Sequence, residues 1–148
     1  MAKKTEDPIQ FGDKGDTSPP VTVTERVTAF DTSEFARLLE LEVVEARGGF
    51  ARVIMPSSEK KNPNGVIHGG AIFSLADQAF GMAANAGTVQ RVAVSVHIQY
   101  IAPASGDLEA VAELVAEHGR YSTYRVMVYE GERAIAEFDG VAIRVSSR

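Results

Sequence analysis

Hydrophobic and polar residues alternate in two different rhythms along this chain. From Gly69 to Gly87 it reads "GGAIFSLADQAFGMAANAG", small and apolar residues carrying one charge, Asp77. Ala71, Ile72, Phe73, Leu75, Ala76, Ala79, Phe80, Met82, Ala83 and Ala84 fall around nearly the whole circumference of a 3.6-residue period, leaving almost no polar stripe. This predicts a long helix buried on most sides. Beyond it the rhythm shifts to strands. "TVQRVAVSVHIQYIAP" is β-branched, stops at Pro103, and sets Val92, Val94, Val96 and Ile98 on one face. "GRYSTYRVMVYEGERAIAEFDGVAIRV" reads as a hairpin turning at Gly131–Glu132. The stretch between them, "GDLEAVAELVAEHG", suits a helix on propensity alone. It is read as a strand because a lone helix there would leave the sheet short of neighbours. Ahead of the long helix, "TSEFARLLE" predicts a short amphipathic helix with Thr32 and Ser33 as caps and Phe35, Leu38 and Leu39 at helical spacing. "LEVVEARGGFARVIMP" predicts two strands around Gly48–Gly49, the second ended by Pro56.

One long helix and five or six strands, mostly grouped after it and joined by short turns, imply an α+β domain with an antiparallel sheet and one helix across it. The polar, Gly- and Pro-containing residues 1–20 read as a flexible tail, leaving residues 21–148 as a single domain. A length of 148 residues suits one domain with a real core. The net charge of −5 argues against a nucleic-acid footprint. With no cysteine, disulfides, thiolate metal sites and cysteine nucleophiles are all excluded, which fits a cytoplasmic protein. The N-terminus lacks the apolar core of a secretory signal, and no uncharged run approaches the roughly 20 residues of a membrane helix.

Asp77 is the residue that this pattern does not explain. A helical carboxylate normally sits on a solvated face, but no Lys or Arg stands at i±3 or i±4 of this one. Burying an unpaired carboxylate costs several kcal/mol or shifts its protonation, which makes Asp77 a candidate functional group. Gly69 and Gly70 open the helix. They are either ordinary turn residues or a place where a ligand meets free N–H groups at the positive end of the helix dipole. His68 reads as a cap or packed group, Asn62 and Asn64 as turn formers, and Ser95 as a small polar residue within a strand. His68, His97 and His118 lack metal-binding spacing, so no metal is expected. No G-x-S-x-G, phosphate-binding loop or dinucleotide fingerprint occurs.

"N-x-x-G-x-x-H-G-G" at Asn62, Gly65, His68, Gly69 and Gly70, followed by "L-A-D" at Leu75–Asp77, resembles the hotdog-fold acyl-CoA thioesterases, most of all their PaaI-like, phenylacetate-pathway branch. The likeness continues through "QYIAPASGDLEA" and the closing "VYEGERAIAEFDG", covering about residues 33 to 145. The resemblance implies a sheet wrapped around the helix, and a homodimer pairing through sheet edges with "TVQRVAVSVHIQY" as the candidate edge. Such dimers often pair again into a homotetramer. The active site would lie between subunits, one presenting Asn62, His68 and Gly69 and the other Asp77.

Carried over by position, Asp77 would be general base or nucleophile, and the Gly69 N–H, helped by Gly70, would hold the oxyanion. Asn62 would orient water or carbonyl, His68 would hold the loop, and Ser95 would support the water. Phe73 and Phe80, with Met82, would line the acyl pocket. The substrate would be an aryl- or medium-chain acyl-CoA, with no metal or redox cofactor and no nucleic-acid or membrane partner. Lys60, Lys61, Arg91, Arg120 and Arg144 could meet coenzyme A phosphates, though each reads first as a solvated charge. The alternative is a hotdog module that binds acyl-CoA without turning it over. A hydratase ranks last, since no His follows Asp77 before His97.

Overall fold

The computed structural model describes residues 23–145. The expected 1–20 tail lies outside the described residues. Helices α1 (Val23–Asp31) and α2 (Glu34–Leu38) lead into strands β1 (Glu42–Arg47) and β2 (Phe50–Met55). The long helix α3 (Gly69–Asn85) precedes β3 (Arg91–Tyr100), β4 (Leu108–His118), β5 (Tyr121–Glu130) and β6 (Arg133–Arg144). The six strands form one antiparallel sheet ordered β1-β2-β4-β5-β6-β3. The ambiguous segment is strand β4, stabilised between β2 and β5; a helix there would have split the sheet and left each of them with one edge unpaired. Strand β3 crosses over to pair with β6 and ends the sheet, with no strand on its other edge among the described residues.

Short connections follow local chemistry. β1 and β2 turn at Gly48–Gly49, where Gly49 has φ +85, and β5 and β6 turn at Gly131–Glu132, where Gly131 has φ +59. Both are left-handed conformations that glycine adopts at little cost. Register irregularities at Val43/Glu45, Ala93/Ser95, Leu114/Ala116 and Val128/Tyr129 bend the sheet.

Small side chains let α3 lie close on the sheet. Ala76, Ala79 and Ala83 on the helix, and Ala51, Ala110, Ala112, Ala136 and Ala142 on the strands, are all buried. Phe80 wedges into the space that remains, with ring centroids 5.4 Å from Tyr124 and 5.7 Å from Phe138. Gly140 is required beneath it, because a Cβ there would come within 2.8 Å of the Phe80 ring.

Two features of the N-terminal half depart from the sequence reading. Helix α1 carried no clear periodic signal; it lies across α3, where the Gln78 Nε2 amide donates to the Phe30 carbonyl at 2.8 Å. Helix α2 has its Ser33 cap, but its buried contact is Ala36, while Phe35 and Leu38 are 57% and 73% exposed. The short helix is turned so that Ala36 faces the core, and Leu39, which caps it, is partly buried there as well.

Candidate active site

The turn before α3 is built from asparagine and glycine. The Asn62 Oδ1 accepts from the Asn64 N–H at 2.9 Å and the Val66 N–H at 3.4 Å, and Gly65 takes φ +78. The amide oxygen of Asn62 is thus committed to the turn, leaving its Nδ2 as the free side-chain donor. His68 then caps the helix, its Nδ1 accepting from the Gly70 N–H at 2.8 Å. An accepting Nδ1 places the neutral ring's hydrogen on Nε2. From the opposite side the Tyr100 hydroxyl donates to the Gly69 carbonyl at 2.9 Å. The Gly69–Gly70 peptide is therefore clamped at both its C=O and its N–H. The Gly69 N–H, one peptide earlier, has no acceptor among the described residues. The Gly70 N–H, expected to help it, donates to His68 in this structure.

Helix α3 does carry a narrow open stripe, at Gly70, Phe73, Ser74, Asp77, Gln78 and Gly81. Helix α1 covers its C-terminal half through Gln78 and through Phe30 packed at Gly81. The N-terminal half, with Asp77, stays open. Asp77 is exposed on the single chain and makes no ion pair or hydrogen bond among the described residues. Its carboxyl is nonetheless raised above the ordinary value of 3.8, and desolvation is the cause. Both observations hold together for a group open on one side and crowded by packed protein on the other. Along the helix axis Gly69 and Asp77 stand about 12 Å apart, eight residues at 1.5 Å each. No single small group can meet both within one chain.

Beside the helix N-terminus lies an open cleft of ≈ 390 Å³ that reaches His68, Gly70 and Ser74 on one wall and Phe35 and Leu39 of α2 on the other. The 59–61 loop also lines it, and Glu59 there holds φ +60.

A family model described as a domain of unknown function, DUF4442, matches residues 15–137. The acyl-coenzyme A thioesterase PaaI of Escherichia coli is 29% identical over 120 residues, covering 78% of this chain and 86% of that protein. The structure of the E. coli PaaI protein from the phenylacetic acid degradation operon superposes with TM-score 0.78 at 25% identity, over 84% of this chain and 93% of that one. A mutant of the phenylacetic acid degradation protein PaaI from Thermus thermophilus is 32% identical with TM-score 0.71, over 75% of this chain and 98% of that one. The chain belongs to the DUF4442 family, and it is a PaaI-type hotdog thioesterase.

Elsewhere in this thioesterase the expected positions differ in kind. Phe80, expected in the acyl pocket, is 1% exposed, and Met82 is fully buried. Both are core residues, because α3 turns them onto the sheet. Phe73 lies half-buried on the open stripe, edge-on to Phe138 with centroids 5.6 Å apart. Ser95 is exposed on the edge strand β3, opposite Val141. Lys60 is not a solvated charge: it is 6% exposed and its Nζ meets the Glu40 carboxylate and the Ser58 carbonyl, each at 3.0 Å. Arg91 is likewise engaged, with Glu117 at 2.6 Å. Tyr100 and the α2 side chains Phe35 and Leu39 reach the site without having been singled out. The Tyr100 signal was its place in "QYIAP"; Phe35 and Leu39 had instead been read as a helix core face. No helix among the described residues is long and apolar enough to cross a membrane.

Proposed function

We propose that this thioesterase hydrolyses an aryl- or medium-chain acyl-CoA to the free acid and coenzyme A, at a site completed by a second copy of the chain. The observation that carries the reading is Asp77: an unpartnered carboxyl, raised by desolvation, on the one open stripe of an otherwise buried helix. A carboxyl raised above its usual range is a better base near neutral pH than an ordinary one.

In the reaction, the thioester oxygen lies at the Gly69 N–H, and the positive end of α3 favours the charge that develops there. Asp77 of the other copy takes a proton from water as it attacks the carbonyl, or attacks directly to form a short-lived anhydride that water then hydrolyses, releasing the acid and restoring the carboxylate. Collapse of the tetrahedral intermediate expels the coenzyme A thiolate, a good enough leaving group for a sparse site that uses no metal or redox cofactor. His68 and Tyr100 act as positioning residues by clamping the Gly69–Gly70 peptide. Asn62, through its free Nδ2, orients water or carbonyl, and Ser95 supports the water. The 12 Å separation of Gly69 and Asp77 supports a homodimer, and the unpaired edge of β3 offers a pairing surface. Dimers pairing again would give the homotetramer. The absence of cysteine fits work in the cytoplasm, where acyl-CoA is handled.

Thiol release from a panel of aryl- and straight-chain acyl-CoAs tests the reading. Asp77→Ala should lose at least about 10²-fold in kcat while remaining folded and dimeric. Wild-type protein that binds acyl-CoA but releases no thiol would overturn hydrolysis and leave the binding module.

A further inference from the structure

With Phe80 and Met82 in the core, Phe73 alone of the expected acyl lining stays on the open stripe, and we infer that the acyl group extends into the cleft between α2 and the start of α3, where Phe35 selects for an aryl ring. This deepens the acyl-CoA reading above and rests on it.

The cleft begins where the chemistry ends. His68 and Gly70, on its wall, are the two residues that flank Gly69. A carbonyl held at the Gly69 N–H can therefore send its acyl substituent beneath α2. The volume of ≈ 390 Å³ falls within the range of about 300–1,000 Å³ typical of small-molecule sites.

Its charge favours the acyl end of the substrate over the nucleotide end. Lys60 is spent on Glu40, while Glu59 and Lys61 at the rim carry opposite signs. A nucleotide bearing several phosphate charges would find no net positive field there. Phe35 and Leu39 supply apolar surface instead, and Phe35 is 57% exposed on a helix whose anchor is Ala36. An open aromatic ring on a cleft wall is suited to stacking on another ring.

The cleft is also preformed. Glu40 directly follows Leu39, and its ion pair with the buried Lys60 ties α2 to the opposite loop. The His68 N–H donates to the Lys60 carbonyl at 2.8 Å, joining that loop to the helix cap. The walls are thus linked before any ligand arrives.

Two analogues without a cleavable thioester separate this inference from the question of turnover. Phenacyl-CoA and acetonyl-CoA carry the same ketone one methylene from sulfur and differ only in a phenyl or methyl group. Their Kd values are measured by calorimetry on full-length wild type, Phe35→Ala and Phe35→Leu. Phe35→Ala should weaken phenacyl-CoA about tenfold and acetonyl-CoA less than about twofold, with Phe35→Leu between. Because Phe35 is exposed, the variants should keep the wild-type Tm. Equal weakening of both analogues, an unchanged phenacyl-CoA Kd, or no phenacyl-CoA binding by wild type would overturn the inference. Thiol release from phenylacetyl-CoA and acetyl-CoA, run alongside, reports separately on hydrolysis. A selective Kd change without thiol release would sink hydrolysis and keep the aryl cleft.

Discussion

Asp77 and Glu130 are carboxylates pushed in opposite directions, and each carries its own prediction. Crowding raises Asp77, and catalysis requires its ionised form. The value of kcat/KM should therefore fall as pH drops through a midpoint above the ordinary 3.8, as a pH–rate profile would show. The same shift predicts a stability effect. The folded chain holds the Asp77 proton more tightly than the unfolded one, so stability is lost as pH rises through the raised value. Asp77→Asn should raise Tm at pH 7 while abolishing turnover, and that gain should vanish below the ordinary carboxylate range. Glu130 behaves in reverse. The Gly106 N–H, the Arg133 guanidinium and the Ser105 N–H hold it down to about 2. Its contribution is present above the unfolded value and fades as pH falls towards about 2. Glu130→Gln should lower Tm at neutral pH, with the difference from wild type closing on acidification.

At the scale of elements, α3 and β6 are matched by shape. Gly140 gives the Phe80 ring its place, and a methyl group there would sit 2.8 Å from the ring. Neither the buried ring nor the hydrogen-bonded strand can give way freely. Gly140→Ala should cost about 1–3 kcal/mol in urea unfolding, with an unchanged m-value. The elements most legible in the sequence were α3 and the β5–β6 hairpin, where period and turn chemistry agree. Helix α2 was legible in its cap and not in its orientation. Its periodicity pointed Phe35 and Leu38 inward, but a five-residue helix over a curved sheet had room for Ala36. Helix α1 gave little warning, because much of its stability comes from lying across α3 rather than from its own pattern.

For the whole molecule, the edge of β3 left free among the described residues and the 12 Å between Gly69 and Asp77 are the two features on which the proposed homodimer rests. Val96 on that strand is 38% exposed and belongs to no core cluster. Val96→Lys should leave the monomer folded by circular dichroism, shift the mass in light scattering to that of a monomer, and lower kcat together with dimer content. A monomeric variant with full activity would show that one chain holds the entire site.

The sequence by itself determined the class of the fold, the existence of the long helix α3, both glycine turns and the lone carboxylate on that helix, because these depend on local period and on which residue types tolerate a given backbone. It also placed Asn62, His68 and Gly69 in one short turn, since residues so close along the chain stay close in space. Only the tertiary structure decided which donors remain free. Tyr100 comes from 31 residues away to clamp the Gly69 carbonyl, and His68 takes the Gly70 N–H, so a single N–H is left facing outward. The tertiary structure likewise sent Phe80 into the core and brought Phe35 to the cleft. Which of two aromatic rings lines a cavity depends on how helices pack against a curved sheet, and that packing is set by contacts between residues far apart in the chain.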